Sequence, residues 1–152
     1  MDTLRRVGVV HSRLTDLAEA PRQGDEGAPE AWISIDAEFS EAARDLQPGD
    51  VVLVLTWLHL ADREVLAVHP RDDRSRPLTG VFATRSSDRP NPIGLHRVQI
   101  LAVEDERLQV SGLEAVDGTP VVDIKPVLGS TGERGRIAFT VPHFGRYLRD
   151  HA

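Results

Sequence analysis

Cysteine is absent from all 152 residues, which removes disulfides and thiolate zinc sites as sources of stability or chemistry. No apolar run is long enough to span a bilayer, and the opening Met1-Asp-Thr-Leu-Arg-Arg-Val-Gly8 has no apolar signal core. A reducing compartment is permitted, and a cytoplasmic location away from membranes is expected. An excess of positive charge is missing too. Eighteen basic residues face 24 acidic ones, for a net charge of -6 and a pI near 5.5, which argues against a protein that holds nucleic acid chiefly by phosphate attraction. RNA is not thereby excluded. Lysine is nearly absent: 17 of the 18 basic residues are arginine, and Lys125 is the exception.

Familiar catalytic signatures are also wanting. There is no Gly-x-Gly-x-x-Gly turn and no Walker loop, so a nucleotide-like ligand has to be held by other means. No Gly-x-Ser-x-Gly elbow occurs, and Ser86-Ser87 have no evident histidine partner. The six histidines (11, 59, 69, 96, 143, 151) include no close ligand pair, so metal catalysis is not expected. Internal repeats and low-complexity tracts are lacking as well.

What is present fits one soluble domain. A length of 152 residues with 40% hydrophobic and 28% charged content suffices for a single sizeable core. Leu4 to Val10 reads as an opening strand, and residues 13–30, with Pro21, Gly24, Gly27 and Pro29, as a loop. Ala31 to Ile35 reads as a short strand. Asp36 to Leu46 is the one credible helix, started by Asp36 and ended by Pro48-Gly49. Val51 to Leu58 is continuously apolar, which suits a strand buried on both faces or a barrel wall, and Glu64 to Val68 is expected to pair with it. Gly94 to Val103 and Leu108 to Val110 flank the polar turn 104–107 as a hairpin. An Asp117-Gly118 turn then leads into a β-branched segment ending at Pro126. Many short strands and one helix predict an all-β fold, an antiparallel barrel or sandwich, rather than an alternating α/β domain.

The richest stretch is Gly80-Val-Phe-Ala-Thr-Arg-Ser-Ser-Asp-Arg-Pro-Asn-Pro-Ile-Gly-Leu95. Each proline fixes its own backbone and restricts its predecessor, so Arg89 and Asn91 are both constrained. A stiff loop loses little entropy when it grips a ligand. Six arginines (71, 74, 76, 85, 89, 97) against Asp72, Asp73 and Asp88 give this region a local positive face on an acidic body. An anionic partner would dock there.

Gly80-Val-Phe-Ala-Thr-Arg-Ser86, Arg89-Pro-Asn-Pro-Ile-Gly-Leu95 and Asp117-Gly-Thr-Pro-Val-Val-Asp-Ile-Lys-Pro126, in this order, resemble the TsaA-like (TrmO-type) family. Val7 to Ser12, Pro21-Arg-Gln23 and Trp57-Leu-His-Leu60 extend the resemblance over residues 5 to about 128. It implies a small antiparallel β-barrel with one or two short helices that forms a homodimer and binds S-adenosylmethionine. It further implies methylation of N6 of threonylcarbamoyladenosine at position 37, in the anticodon loop of tRNA. A small-molecule acceptor, or a non-catalytic binding module, remains an alternative. Residues 1–130 are expected to form the barrel domain and 131–152 an extension of it, with Gly132 to Gly135 a flexible turn.

Carried across residue by residue, the resemblance implies cofactor contacts at Pro21, Arg22, Gln23, His59, Leu60, Arg85, Leu95, Asp117, Gly118, Thr119 and Pro120. Arginine suits the cofactor's carboxylate through two parallel hydrogen bonds, and a rigid turn can read an adenine edge with backbone groups. An isolated histidine such as His59, at the end of an apolar run, is equally compatible with a hydrogen-bonded core residue. Asp123 and Lys125 alternate along a strand and leave one face together, with Val122 and Ile124 on the other. They are candidates for catalytic base and charge partner; a structural ion pair closing the barrel is the competing role.

Overall fold

The structure, a computed structural model, describes residues 1–15 and 29–127. The strands are β1 (Gly8–His11), β2 (Ala31–Ile35), β3 (Val51–Trp57), β4 (Ala67–Val68), β5 (Thr79–Gly80), β6 (Ile93–Glu104), β7 (Arg107–Ser111) and β8 (Pro120–Pro126). Six of them close into a barrel in the order β1-β2-β7-β6-β3-β8, every neighbouring pair antiparallel. The remaining two, β4 and β5, form a separate ribbon inside the long connection from β3 to β6.

Alternation along each strand sorts the side chains. Val52, Val54 and Thr56 point into the barrel from β3, while Leu53, Leu55 and Trp57 stand half-buried outside, so the apolar run is a barrel wall. On β6 the inward set is Gly94, His96, Val98 and Ile100. With Val10, Ile33, Leu108, Val110 and Val121 these residues fill the interior. Each fully buried Val, Ile or Leu contributes about 1.5–3 kcal/mol relative to exposure.

Three expectations need correction. The segment from Asp36 to Leu46 forms a 3-10 helix over Ala37–Ala43, and Asp36 makes no side-chain cap. Its carboxylate instead receives Arg6 Nε at 3.0 Å and Nη2 at 3.3 Å. The tight helix brings Phe39 and Ala43, with Leu46 beyond it, against the core and covers one barrel end. The second correction concerns residues 64–68. Both edges of β3 are already occupied by β6 and β8, so Ala67 and Val68 pair with Gly80 and Thr79 instead. The third lies in β8, where the register slips opposite Leu55/Thr56 and Val122 is the extra residue. Thr56 faces Val121 and Val54 faces Ile124, so Val121 and Ile124 share the inner face and Val122 does not.

The 104–107 hairpin forms as expected, with Asp105 at φ 52° in its turn. β1 is shorter than the expected 4–10 span and runs Gly8–His11. No helix among the described residues is long and apolar enough to cross a membrane. Residues 131–152, and the turn expected at 132–135, lie outside the described residues.

Candidate functional site

Antiparallel order places the ends of β1, β3 and β7 and the starts of β2, β6 and β8 at the barrel mouth opposite the 3-10 helix of Ala37–Ala43. A cavity of about 800 Å³ opens there. Its walls come from the turn after β3, the loop bearing Thr84 to Arg89, the start of β6 and the connection from β7 to β8.

The 80–95 loop is held from within by an arginine. Arg89 donates from Nε to the Ser86 carbonyl at 2.7 Å and from Nη2 to those of Val81 and Thr84 at 2.9 and 2.6 Å. Arg63 does similar work from the far side. It donates to the Pro90 carbonyl at 2.8 Å and to Asn91 Oδ1 at 3.3 Å, with its guanidinium 5.2 Å from the Trp57 ring centroid. Asp88 Oδ1 accepts the Asp62 N–H at 2.8 Å, and the Arg89 N–H reaches the Asp62 carbonyl at 3.1 Å. Two arginines and an aspartate therefore set the loop's shape. Arg85, by contrast, is exposed, lines the cavity and makes one long contact, 3.4 Å, to the Leu95 carbonyl. Among the described residues its fork has no carboxylate partner.

The Asp-Gly turn is sewn to the end of β1. The Thr119 N–H and Oγ1–H both reach the Val116 carbonyl, at 3.2 and 2.7 Å, and Gly118 takes φ 83°, a conformation glycine adopts without strain. Asp117 Oδ1 accepts the Ser12 N–H at 3.0 Å, and the Gly118 N–H reaches the Val10 carbonyl at 2.8 Å. The result turns Val116 and Thr119 towards the cavity and leaves Asp117 and Gly118 on the solvent side.

Of the residues singled out in the sequence, His59, Leu60, Arg85, Leu95 and Thr119 come together around this one cavity. His59 is exposed at its rim rather than buried in the core. Asp117 and Gly118 support the wall without lining it, and Pro120 borders a second, apolar groove with Trp57, Ile93 and Val122. Asp123 and Lys125 do pair, Nζ to Oδ2 at 2.9 Å. They stand outside the barrel opposite Leu55 and Leu53 and do not line the cavity. Pro21, Arg22 and Gln23 lie outside the described residues.

One cluster was not foreseen. His96, 3% exposed, bridges Thr56 Oγ1 at 2.6 Å through Nε2 and Glu114 Oε1 at 2.7 Å through Nδ1. Gly94 makes room for it: a Cβ there would run into Thr56 Oγ1 and lie 2.6 Å from His96 Nε2. A histidine at an inward position of a strand otherwise lined by Gly, Val and Ile was the available signal. Its partners come from two distant segments that periodicity alone does not bring together.

A model of the tRNA-methyltransferase O N-terminal domain matches residues 9–131. The chain belongs to that family. A "Probable S-adenosyl-L-methionine-binding protein" of Methanothermobacter thermautotrophicus is 46% identical over 123 residues, 81% of this chain and 88% of the relative. A protein of the same description from Archaeoglobus fulgidus is 45% identical over 124 residues, which cover 81% of this chain and 33% of that protein. The solved structure of TrmO from Pseudomonas aeruginosa aligns with TM-score 0.66 at 31% identity. That alignment takes in 84% of this chain and 56% of the solved one, so the chain spans about half the length of that protein. The closed barrel is thus the TrmO-type barrel, and the cavity lies within the matched span.

The donor set at this mouth suits a ligand with an anionic end, a polar middle and an aromatic plane. An arginine fork with no carboxylate partner among the described residues is at the rim, a carboxylate lies deeper, and Leu60, Ile93, Leu95 and Val116 offer apolar contact. Among the described residues no group of three His, Cys, Asp or Glu side chains is arranged to hold a metal ion.

Proposed function

We propose that this chain is an S-adenosylmethionine-dependent methyltransferase that modifies N6 of threonylcarbamoyladenosine at position 37 of tRNA, acting as a homodimer. The observation that carries the reading is a single cavity gathering His59, Leu60, Arg85, Leu95 and Thr119 in a tRNA-methyltransferase O family chain. S-adenosylmethionine is the cofactor. When bound, it supplies an electrophilic methyl group on a sulfonium sulfur.

The chain's own residues supply binding and orientation. Arg85 pairs its fork with the cofactor's carboxylate. Leu60 and Leu95 cover apolar surface, and the Thr119 end of the Asp-Gly turn presents fixed backbone polar groups. The loop that carries Arg85 is already held by Arg89 and Arg63, so little order has to be gained on binding. Arg74 stands exposed in the ribbon region near this mouth, where a backbone phosphate of an RNA loop would meet it. The acceptor nitrogen must lie in line with the methyl and sulfur and must lose a proton, and positioning supplies most of the acceleration. Asp123 and Lys125 stand outside this cavity, so as base and charge partner they would have to serve the cavity of a second protomer set against the outer face of β8, and Asp123→Asn then lowers turnover without loss of cofactor affinity.

The test is mass spectrometry of tRNA nucleosides from cells with and without the gene. Loss of the N6-methylated threonylcarbamoyl nucleoside is expected. The relatives' binding-protein descriptions favour a second reading, a module that holds the cofactor and transfers nothing to tRNA. An unchanged nucleoside profile, with calorimetry still reporting cofactor binding, would support that alternative; label appearing only in a low-molecular-weight pool would indicate a small-molecule acceptor.

A further inference from the structure

His96 and Glu114 line the cavity, and Thr56 is buried behind them. Thr56 is fully buried, His96 is 3% exposed, and the Glu114 side chain is 15% exposed. The three come from β3, β6 and the connection before β8, and the space over Gly94 is kept open for them. His96 Nδ1–H donates to Glu114 Oε1, and Nε2 is hydrogen-bonded to the Thr56 hydroxyl, so the imidazole fixes the position of the carboxylate.

Only one carboxylate oxygen is used in this way. Glu114 Oε2 has no hydrogen-bond partner among the described residues, and none of their side-chain polar atoms is both buried and unpartnered. That oxygen therefore touches open space, and Glu114 lines the cavity. The other acids at this mouth, Asp72 and Asp88, belong to the exposed ribbon and the loop, and Asp88 is engaged with the Asp62 N–H. A mostly buried, immobilised carboxylate with one oxygen turned to the cavity is placed to meet the cation of a ligand there.

We propose that Glu114, oriented by His96 and Thr56, recognises the sulfonium of S-adenosylmethionine and so makes the cavity prefer the charged cofactor to its neutral product. The inference rests on the cofactor assignment and not on any methyl acceptor. The cofactor carries a second cation, its ammonium, but that group travels with the carboxylate, whose partner Arg85 is exposed at the rim. The cation left for the interior is the sulfonium. Its charge disappears on methyl transfer, so the attraction to Glu114 lapses when S-adenosylhomocysteine forms and the product is released more easily. Glu114 is then a specificity-determining contact, and His96 and Thr56 are positioning residues behind it.

Isothermal titration calorimetry of the full chain with S-adenosylmethionine and, separately, S-adenosylhomocysteine tests this. Glu114→Gln keeps an oxygen for the His96 N–H and removes only charge. It should weaken the sulfonium ligand on the order of tenfold, as expected for loss of a partly buried charge pair, and change the thioether ligand less than about twofold. His96→Gln should lower the same preference part-way, an effect that a purely structural histidine would not have on a ratio of affinities. Equal losses for both ligands, no loss for either, or a wild type without preference would overturn the role of Glu114 while leaving cofactor binding intact. A wild type that takes up neither nucleoside would overturn the cofactor assignment itself. Thermal melting of each apo variant separates misfolding from altered recognition, and Glu114→Asp, which restores the charge, should recover part of the preference.

Discussion

Two arginines four residues apart in one loop have opposite duties, and the difference is written in their hydrogen bonds. Arg89 satisfies three backbone carbonyls, so it maintains the loop, whereas Arg85 has one contact at 3.4 Å and is available to a ligand. Arg85→Ala should weaken S-adenosylmethionine binding by about 1.5–3 kcal/mol, the worth of a hydrogen bond to a charged group, with an unchanged melting temperature. Arg89→Ala should do the reverse in order of severity, lowering the melting temperature first because three partly buried carbonyls lose their donor. Calorimetry and thermal melts on the two variants decide it, and matching profiles would refute the division of labour. Gly94→Ala is the sharper structural test. Its Cβ collides with the Thr56 hydroxyl and crowds His96, so a loss of about 1–3 kcal/mol from overpacking is expected in chemical denaturation.

At the scale of elements, the site depends on how segments are tied to one another. The Asp-Gly turn is fastened to β1 through Asp117 Oδ1 and the Ser12 N–H at 3.0 Å. Asp117→Ala should cost about 1 kcal/mol and speed amide exchange at Ser12, while Asp117→Asn, which keeps the acceptor oxygen, should do neither. The ribbon region offers a pH test. Asp73 is held below the usual carboxylate range chiefly by the Ser75 hydroxyl and then by the Ser75 N–H, with Arg76 and His69 contributing further. A depressed carboxylate stabilises its loop above its unfolded pKa, and that contribution is lost as pH falls through the lower folded value. The Ser75 amide should therefore shift on acidification below about pH 4, and Asp73→Asn should abolish the shift.

Those same elements mark how far the sequence could be read. β2, β3, the β6–β7 hairpin and the Asp-Gly turn were legible because alternation and turn chemistry are local. The partner of residues 64–68 was not, since it depends on both edges of β3 already being taken. Nor was the β8 bulge, because a slip of one residue leaves composition unchanged while reassigning Val122 to the outside. The cavity's arginine and turn were readable through the resemblance; the Thr56-His96-Glu114 chain needed three segments placed in space.

For the whole molecule, the closed barrel has no free strand edge and the β4-β5 ribbon offers only two-residue strands, so an outer barrel face is the more extensive surface for association. The outer surface of β3 and β6 carries half-buried Leu53, Leu55 and Trp57 beside Ile93 at 43% and Leu95 at 42% exposed, with Arg97 and the Asp123-Lys125 pair at its border. Contiguous apolar surface framed by charge is the pattern of an interface core with a polar rim. A stable homodimer needs roughly 800 Å² from each partner, and this face adjoins the cavity through Ile93 and Leu95. Leu55 sits between Leu95 and Asp123, so an arginine there can pair with Asp123 in an isolated protomer but cannot be buried against a second apolar face. Leu55→Arg should convert a dimer to a monomer in sedimentation equilibrium while leaving the far-ultraviolet circular dichroism intact. A wild type that sediments as a monomer at every concentration, or a variant that stays dimeric, would remove this face from the proposed assembly.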